Sequence, residues 1–219
     1  MGTENQKPVI SECEEQGSGA RIGIIGGTFD PIHLGHLIIA EEARYQFQLD
    51  RVIFIPAGVP PHKPDRPITD KEHRFDMTVL ATEDNPAFEV SRIEIDRSGP
   101  SYAVDTLAEL KKIYGNNTRL FFIIGADAIL EILTWYKPEK LRCMCRFIAT
   151  TRPGYRLSDV KKKLPEEYLE RITFMDAPGV NVSATDLRNR AASGRPIKYM
   201  VPKAVEDYIT DNKLYVVEK

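Results

Sequence analysis

The chain has 219 residues, and its 30 Lys and Arg against 32 Asp and Glu leave a net charge of −2. With 42% hydrophobic and 28% charged residues, it has an ordinary globular composition, long enough for one larger domain, or a core with a small appendage, that needs no staples. The three cysteines, Cys13, Cys143 and Cys145, form no Cys-x-x-Cys pair, which excludes a zinc ribbon, a thioredoxin motif and a disulfide framework and points to a reducing compartment.

Residues 1–20 are polar and acidic, end in Gly17-Ser18-Gly19 and contain no apolar signal-peptide core, so they are expected to be a disordered extension outside the fold. No later run approaches the roughly 18 uncharged apolar residues of a membrane span. A cytoplasmic protein without a membrane partner is therefore expected. From Arg21 short apolar runs begin: Ile22 to Ile25, Val52 to Ile55, Phe88 to Ile95, Leu120 to Ile124, Phe147 to Thr150 and Ile172 to Met175, each compatible with a strand. Helix-period segments lie between most of them, at Leu34 to Phe47, Lys71 to Thr82, Tyr102 to Tyr114 and after Gly125. Thr69-Asp70-Lys71-Glu72 has capping-box spacing before the second of these. The alternation predicts an α/β fold, a Rossmann-like doubly wound and largely parallel sheet. Runs apolar throughout fit strands buried on both faces.

Gly58 to Thr69 carries Pro60, Pro61, Pro64 and Pro67 around His62 and Lys63 and reads as a stiffened loop. Two further helices, Ala184 to Ala192 and Pro202 to Asn212, flank Gly194-Arg195-Pro196. The expected organisation is an extension over residues 1–20, a core over 21–182 and a small helical C-terminal subdomain over 183–219 that packs on the sheet.

In such a sheet, chemistry is expected beyond the carboxyl ends of the strands. The first strand ends in Gly26-Gly27-Thr28-Phe29-Asp30-Pro31-Ile32-His33-Leu34-Gly35-His36. Glycines there allow a ligand close to the backbone, or serve a tight turn and nothing more. Their spacing is neither the dinucleotide fingerprint nor a P-loop. His33 and His36, three apart where a helix opens, bring two rings to one face beside free backbone N–H groups, a place that favours phosphate. A metal site would want a third ligand, which this neighbourhood does not supply.

A second constellation, Asn181-Val182-Ser183-Ala184-Thr185-Asp186-Leu187-Arg188, again sits at a helix start. Ser183 and Asp186 make a plain capping pair, while Arg188, one turn in, can reach back and clamp phosphate oxygens. Two helix N-termini so equipped suggest a polyphosphate held between them.

The run Gly27 to His36, Gly-x-Phe-Asp-Pro-x-His-x-Gly-His, together with Ser-x-Thr-x-x-Arg at Ser183 to Arg188, resembles the nucleotidylyltransferase superfamily that shares the His-x-Gly-His signature. Within it, residues 21–215 are similar to the bacterial nicotinate mononucleotide adenylyltransferases, with agreement at Pro60-Pro61-His62-Lys63, Gly99-Pro100-Ser101-Tyr102, Ile124-Gly125-Ala126-Asp127 and Trp135-Tyr136. The resemblance implies adenylyl transfer from ATP to nicotinate mononucleotide, giving deamido-NAD and pyrophosphate in NAD biosynthesis. It implies His33, His36 and Arg188 as catalytic groups, and Gly26, Gly27, Thr28, Phe29, Ser183 and Thr185 as further ATP contacts. Magnesium would accompany ATP without a protein cage of its own.

Trp135, alone among the residues a core or hinge aromatic, is placed by the resemblance on the pyridine ring beside Tyr136. Gly125 and Asp127 fall at the carboxyl edge of a buried strand, where a ribose could be hydrogen-bonded or an aspartate merely solvated. Lys63 and Arg152, loop cations, become substrate contacts only through the resemblance. At Ala103 the sequence departs from the family, where Ser-Tyr is usually followed by a threonine that helps hold the pyridine carboxylate; selectivity for acid over amide would then rest on backbone N–H groups or be looser than in the family. Phosphopantetheine adenylyltransferase shares the first motif, but in generally shorter chains that do not match the Gly125 to Trp135 segments. A class I aminoacyl-tRNA synthetase would need a Lys-Met-Ser-Lys-Ser-like loop and an RNA-binding domain, neither of which is present. A non-catalytic nucleotide sensor would have less reason to keep both histidines and Arg188. No nucleic-acid partner is expected at this net charge, and a homo-oligomer is left open.

Overall fold

The computed structural model describes residues 19–61, 67–151 and 162–216; the expected disorder of the N-terminal extension falls almost wholly outside them. Six strands form one parallel sheet: β1 (Arg21–Gly27), β2 (Arg51–Pro56), β3 (Phe88–Val90), β4 (Arg119–Gly125), β5 (Arg146–Thr151) and β6 (Ile172–Asp176), in the order β3-β2-β1-β4-β5-β6. This is the doubly wound order, in which the chain steps outward from β1 to β3, returns to the centre at β4 and steps outward again. The helices are α1 (Leu34–Gln46), α2 (Lys71–Thr82), α3 (Ala103–Tyr114), α4 (Ala126–Ile129), α5 (Pro138–Met144), α6 (Glu166–Leu169), α7 (Ala184–Ala192) and α8 (Lys203–Asp211). None of the described helices is long and apolar enough to cross a membrane.

Both faces of the sheet are covered, as the unbroken apolar strands require. Alternate residues diverge with the period of two of a strand. Ile22, Ile24, Ile53, Ile55, Leu120 and Phe122 join the core beneath α3 and α5. Val52, Phe54, Phe121, Ile123 and Ile148 join the opposite core with Ala40 and Ala43 of α1, Met77 and Ala81 of α2, Leu187 of α7, and Val205 and Ile209 of α8. The two C-terminal helices thus pack on the same face as α1 and α2.

Three local features differ from expectation. The run Phe88 to Ile95 pairs only through Val90, because β3 is an edge strand with β2 as its single neighbour. The chain then turns inward, burying Glu94 and Ile95, so tightly that a Cβ on Gly58 would lie 2.1 Å from the Glu94 carbonyl oxygen. The cap of α2 is Asp70, whose carboxylate accepts the Glu72 N–H at 2.8 Å, and not a Thr69 box. The helical stretch after Gly125 is broken into α4, a 3-10 turn at Ile132–Thr134 and α5, with Lys137 in the left-handed region at φ 52° and Pro138 starting α5.

Candidate active site

β1 and β4 pair only as far as Ile24 and Phe122. β1 nonetheless stays with β2 out to Gly27, and β4 with β5 out to Gly125. The two central strands part because their crossovers leave in opposite directions, and a crevice opens at that reversal. It is a cleft of about 1300 Å³, whose floor is Ile25 to Gly27 on one side and Phe122 to Gly125 on the other.

The glycines of this floor divide into two kinds. A Cβ on Gly27 would press to 2.8 Å from the Phe29 ring, so packing within the protein already demands glycine there. Gly26 and Gly125 are different: a Cβ would find only Phe122 at 3.5 Å in the first case and nothing within 4 Å in the second. Nothing in the protein's own packing calls for glycine at these two exposed positions, which face each other across the crevice. A ligand lying against the backbone would.

After Gly27 the chain holds Phe29 at φ 47°, buried at 3% exposure, and enters α1 with His33 as its N-cap. The His33 and His36 rings stack, 3.7 Å between centroids and 23° between planes, and the Phe29 ring meets His36 edge-on at 5.0 Å. The backbone N–H of His33 donates to His36 Nδ1 at 3.2 Å, an imidazole version of the capping box. The glycine of His-x-Gly-His is required by this stack, since a Cβ on Gly35 would lie 3.0 Å from His33 Nδ1. Burial, and then the neighbouring His33, push His36 down to about 3. The ring is therefore neutral at pH 7. With Nδ1 accepting, its proton resides on Nε2, a donor ready for an anion without prior protonation.

Arg188 arrives at the same loop from the far end of the chain. Its guanidinium donates to the carbonyl oxygen of Asp30 at 2.6 Å and to Thr185 Oγ1 at 3.0 Å. Ser183 caps α7 by accepting the Asp186 N–H at 3.2 Å, and Ser183 and Ala184 form part of the cleft wall. The Leu34 N–H is met by the Met200 carbonyl at 3.0 Å, and the Tyr215 hydroxyl donates to the Asp30 carboxylate at 2.8 Å. Burial, then Asp30, push that phenol upward. The two imidazoles and the guanidinium, some 150 residues apart in sequence, thus gather about one loop.

The opposite end of the cleft is aromatic. Trp135 meets Phe122 edge-on at 5.9 Å, and Tyr136 stacks on Tyr102 at 4.4 Å, with the Lys137 ammonium 4.5 Å over the Tyr136 ring. Ala103, the first residue of α3, lies in this wall, at a helix start where Asp105 and Thr106 already donate to the Tyr102 carbonyl. Glu94 lies beneath, 7% exposed, accepting from the Thr106 hydroxyl at 2.6 Å; burial raises its carboxyl above the ordinary range.

Of the residues singled out in the sequence, Gly26, Gly27, Thr28, His33, His36, Ser183, Ala103, Gly125, Trp135 and Tyr136 line the cleft. Phe29 is buried and, like Thr185 and Arg188, is not part of the cleft lining; Arg188 and Thr185 bond to each other, and Arg188 to the Asp30 carbonyl of the loop before His33. Asp127 is exposed on α4, outside the wall. Lys63 and Arg152 fall outside the described residues. Sequence reasoning passed over Glu94, Tyr215 and Arg74. The last had a signal, since it shares the buried stripe of α2 with Met77, Thr78 and Ala81, where a charge is out of place. Among the described residues no three His, Cys, Asp or Glu side chains gather as a metal ion would need.

The family described as cytidylyltransferase-like matches residues 24–190. A relative from Moorella thermoacetica is 55% identical over 198 residues, 89% of this chain and 91% of its own length. One from Thermoanaerobacter sp. is also 55% identical, over 89% and 94% of the two chains. Both bear the name "Probable nicotinate-nucleotide adenylyltransferase". Among solved structures, Plasmodium falciparum nicotinic acid mononucleotide adenylyltransferase complexed with NaAD shares the fold at a TM-score of 0.74, with 21% identity over 90% of this chain and 98% of that one.

Proposed function

The chain belongs to the cytidylyltransferase-like family and is a nucleotidyltransferase of its nicotinate-nucleotide adenylyltransferase branch, and from that membership we propose how its cleft transfers an adenylyl group from ATP to nicotinate mononucleotide. The phosphate of the mononucleotide attacks the α-phosphorus in line, one P–O bond forms, the α–β bridge breaks and pyrophosphate leaves. The nucleophile is already ionised at pH 7, so neither a general base nor a covalent intermediate is called for. Alignment and neutralisation of charge carry the rate.

His33 and His36 take the ATP phosphates, with His36 Nε2–H donating to the α-phosphoryl or departing oxygen. The backbone of Gly26 to Phe29 lies along the phosphates and ribose. Ser183, Thr185 and Arg188 take the β- and γ-phosphates or the adenine side, so that the subdomain from residue 183 completes the ATP site. The mononucleotide occupies the aromatic end, its ring on Trp135 beside Tyr136, its carboxylate at the N–H groups that open α3 at Ala103, and its ribose near Gly125. Lys63 and Arg152 are assigned to the same substrate on resemblance alone. Magnesium would come with ATP as part of the substrate and offset phosphate charge, with no residue of the chain assigned to hold it.

The observation that carries this reading is the Arg188 bond to the Asp30 carbonyl, three residues before His33, which joins the two signature motifs, each of which has residues in the cleft wall. A steady-state pyrophosphate-release assay with ATP and either nicotinate or nicotinamide mononucleotide tests it. Turnover with the acid, with the dinucleotide identified chromatographically, is the expected result; no turnover with either would overturn the reading.

A further inference from the structure

Among the described residues, the largest side chain that is fully buried is a charged one, Arg74 of α2, 1% exposed. A guanidinium out of water is tolerated only if its donors are met. Here they are met by three carbonyl oxygens from three separate stretches: Thr69 accepts from Nε at 2.9 Å, Thr28 from Nη1 at 2.7 Å and Gly58 from Nη2 at 3.3 Å. Thr28 follows β1, Gly58 follows β2, and Thr69 leads into α2. Burial pulls the guanidinium below its ordinary value, and Asp30, Asp70 and Tyr215 act in the other direction; an arginine guanidinium keeps its proton in proteins.

The bond to Thr28 has a consequence on the other side of the peptide. In a trans peptide the C=O and the next N–H point in opposite directions. Anchoring the Thr28 carbonyl on Arg74 therefore turns the Phe29 N–H away from Arg74, at a loop whose Thr28 lines the cleft. Phe29 is held for this in the left-handed region, φ 47°, a conformation that a non-glycine residue keeps only when its surroundings impose it. No acceptor among the described residues meets its N–H.

We propose that Arg74 is a positioning residue for adenylyl transfer: its three-carbonyl clamp aims the Phe29 N–H at the phosphate chain of ATP and keeps a buried positive charge beneath it. The proposal rests on the functional reading above and adds to it a positioning residue that belongs to no signature motif. Arginine's planar fork serves three divergent carbonyls, whereas a lysine ammonium is a single point donor.

Arg74→Lys keeps the charge and loses the fork. The expected result is a kcat lowered by about tenfold to hundredfold, with the KM for the mononucleotide within about threefold of the parent's. A purely structural Arg74 would instead lower the melting temperature and leave kcat per folded molecule alone, so a folded variant with kcat within about twofold of the parent overturns the proposal. Should the variant not fold, the parent decides the matter. In protein labelled with 15N-phenylalanine, the Phe29 amide, identified by its disappearance in Phe29→Tyr, should move downfield when a non-hydrolysable ATP analogue binds; an unmoved amide at saturation overturns the clamp. Lack of turnover by the parent would count against the functional reading alone, with the amide shift still ruling on the clamp.

Discussion

The two ends of the cleft are built by different means. At the histidine end, Arg74, Arg188, Tyr215 and the Met200 carbonyl each bond to the chain between Thr28 and Leu34, so the loop is fixed by directional contacts from three later parts of the sequence. At the aromatic end, Trp135 and Tyr136 sit between short helical pieces and meet their neighbours ring to ring, with Tyr136 44% exposed. Hydrogen bonds to a buried loop hold donors to fractions of an ångström, as charge stabilisation in a transition state demands. Ring contacts hold a flat surface in place and tolerate small displacements, which suits binding a substrate's apolar part. Substitutions at the first end should act on kcat, and those at the second on KM.

The largest expected effect is that of His36→Ala, which removes the Nε2 donor and the acceptor of the His33 N–H together. Turnover should fall by about 100-fold or more, with the fold retained by circular dichroism and the KM for the mononucleotide little changed. Near-normal pyrophosphate release would refute the assignment of His36. At the other end, Trp135→Ala should raise the KM for the mononucleotide by about tenfold, the loss of a ring contact plus some burial, and leave kcat at saturation nearly intact. A large kcat defect there would erase the division of labour between the two ends.

Most of this architecture was legible in the sequence, and the exceptions have physical causes. The strands announced themselves because a parallel sheet buried on both faces needs unbroken apolar runs, and α2 and α7 fell where periodicity placed them. The Phe88 to Ile95 run did not, since alternating Ile93 and Ile95 can be buried by an inward turn as well as by a strand. The position of the histidines and of Arg188 near the starts of α1 and α7 was legible because caps and glycines mark those element boundaries. Arg74 was less so, because its farthest partner is distant in sequence: Thr28 lies 46 residues from Arg74. Lone charges inside apolar patterns are the only trace that such long-range clamps leave in a sequence.

The histidine end should also reveal itself through acid. His36 sits near 3 in the folded protein against an ordinary value of about 6.5 once unfolded. Below pH 6.5 the unfolded chain takes up a proton that the folded chain refuses, so stability falls with pH across the window from about 6.5 to about 3 and is unaffected above it. The slope from this one group is at most about 1.4 kcal/mol per pH unit. Denaturant midpoints at pH 7, 6 and 5 should decline more steeply for the parent than for His36→Ala. Parallel declines would mean that the ring is not held neutral. Among the described residues the aromatic end offers no histidine, and Trp135→Ala should leave the slope as it is.

The smallest effect concerns selectivity between acid and amide at the aromatic end. Ala103 opens α3 with a methyl group, so a bound pyridine carboxylate would meet backbone N–H groups and the positive end of the helix dipole there, and no hydroxyl. A carboxylate and a carboxamide both accept from an N–H, and the helix end prefers the anion by only a fraction of a kcal/mol to about one. Ala103→Thr adds a rotatable donor at the same spot. Its hydrogen bond should be worth about 1 kcal/mol net, shifting the ratio of kcat/KM values for nicotinate over nicotinamide mononucleotide by about fivefold toward the acid. The shift should reside in KM, because the pyridine ring is remote from the reacting phosphorus. A ratio that stays put, or moves toward the amide, would mean that the start of α3 does not face the pyridine substituent, and the aromatic end would then need a different orientation of the substrate on Trp135.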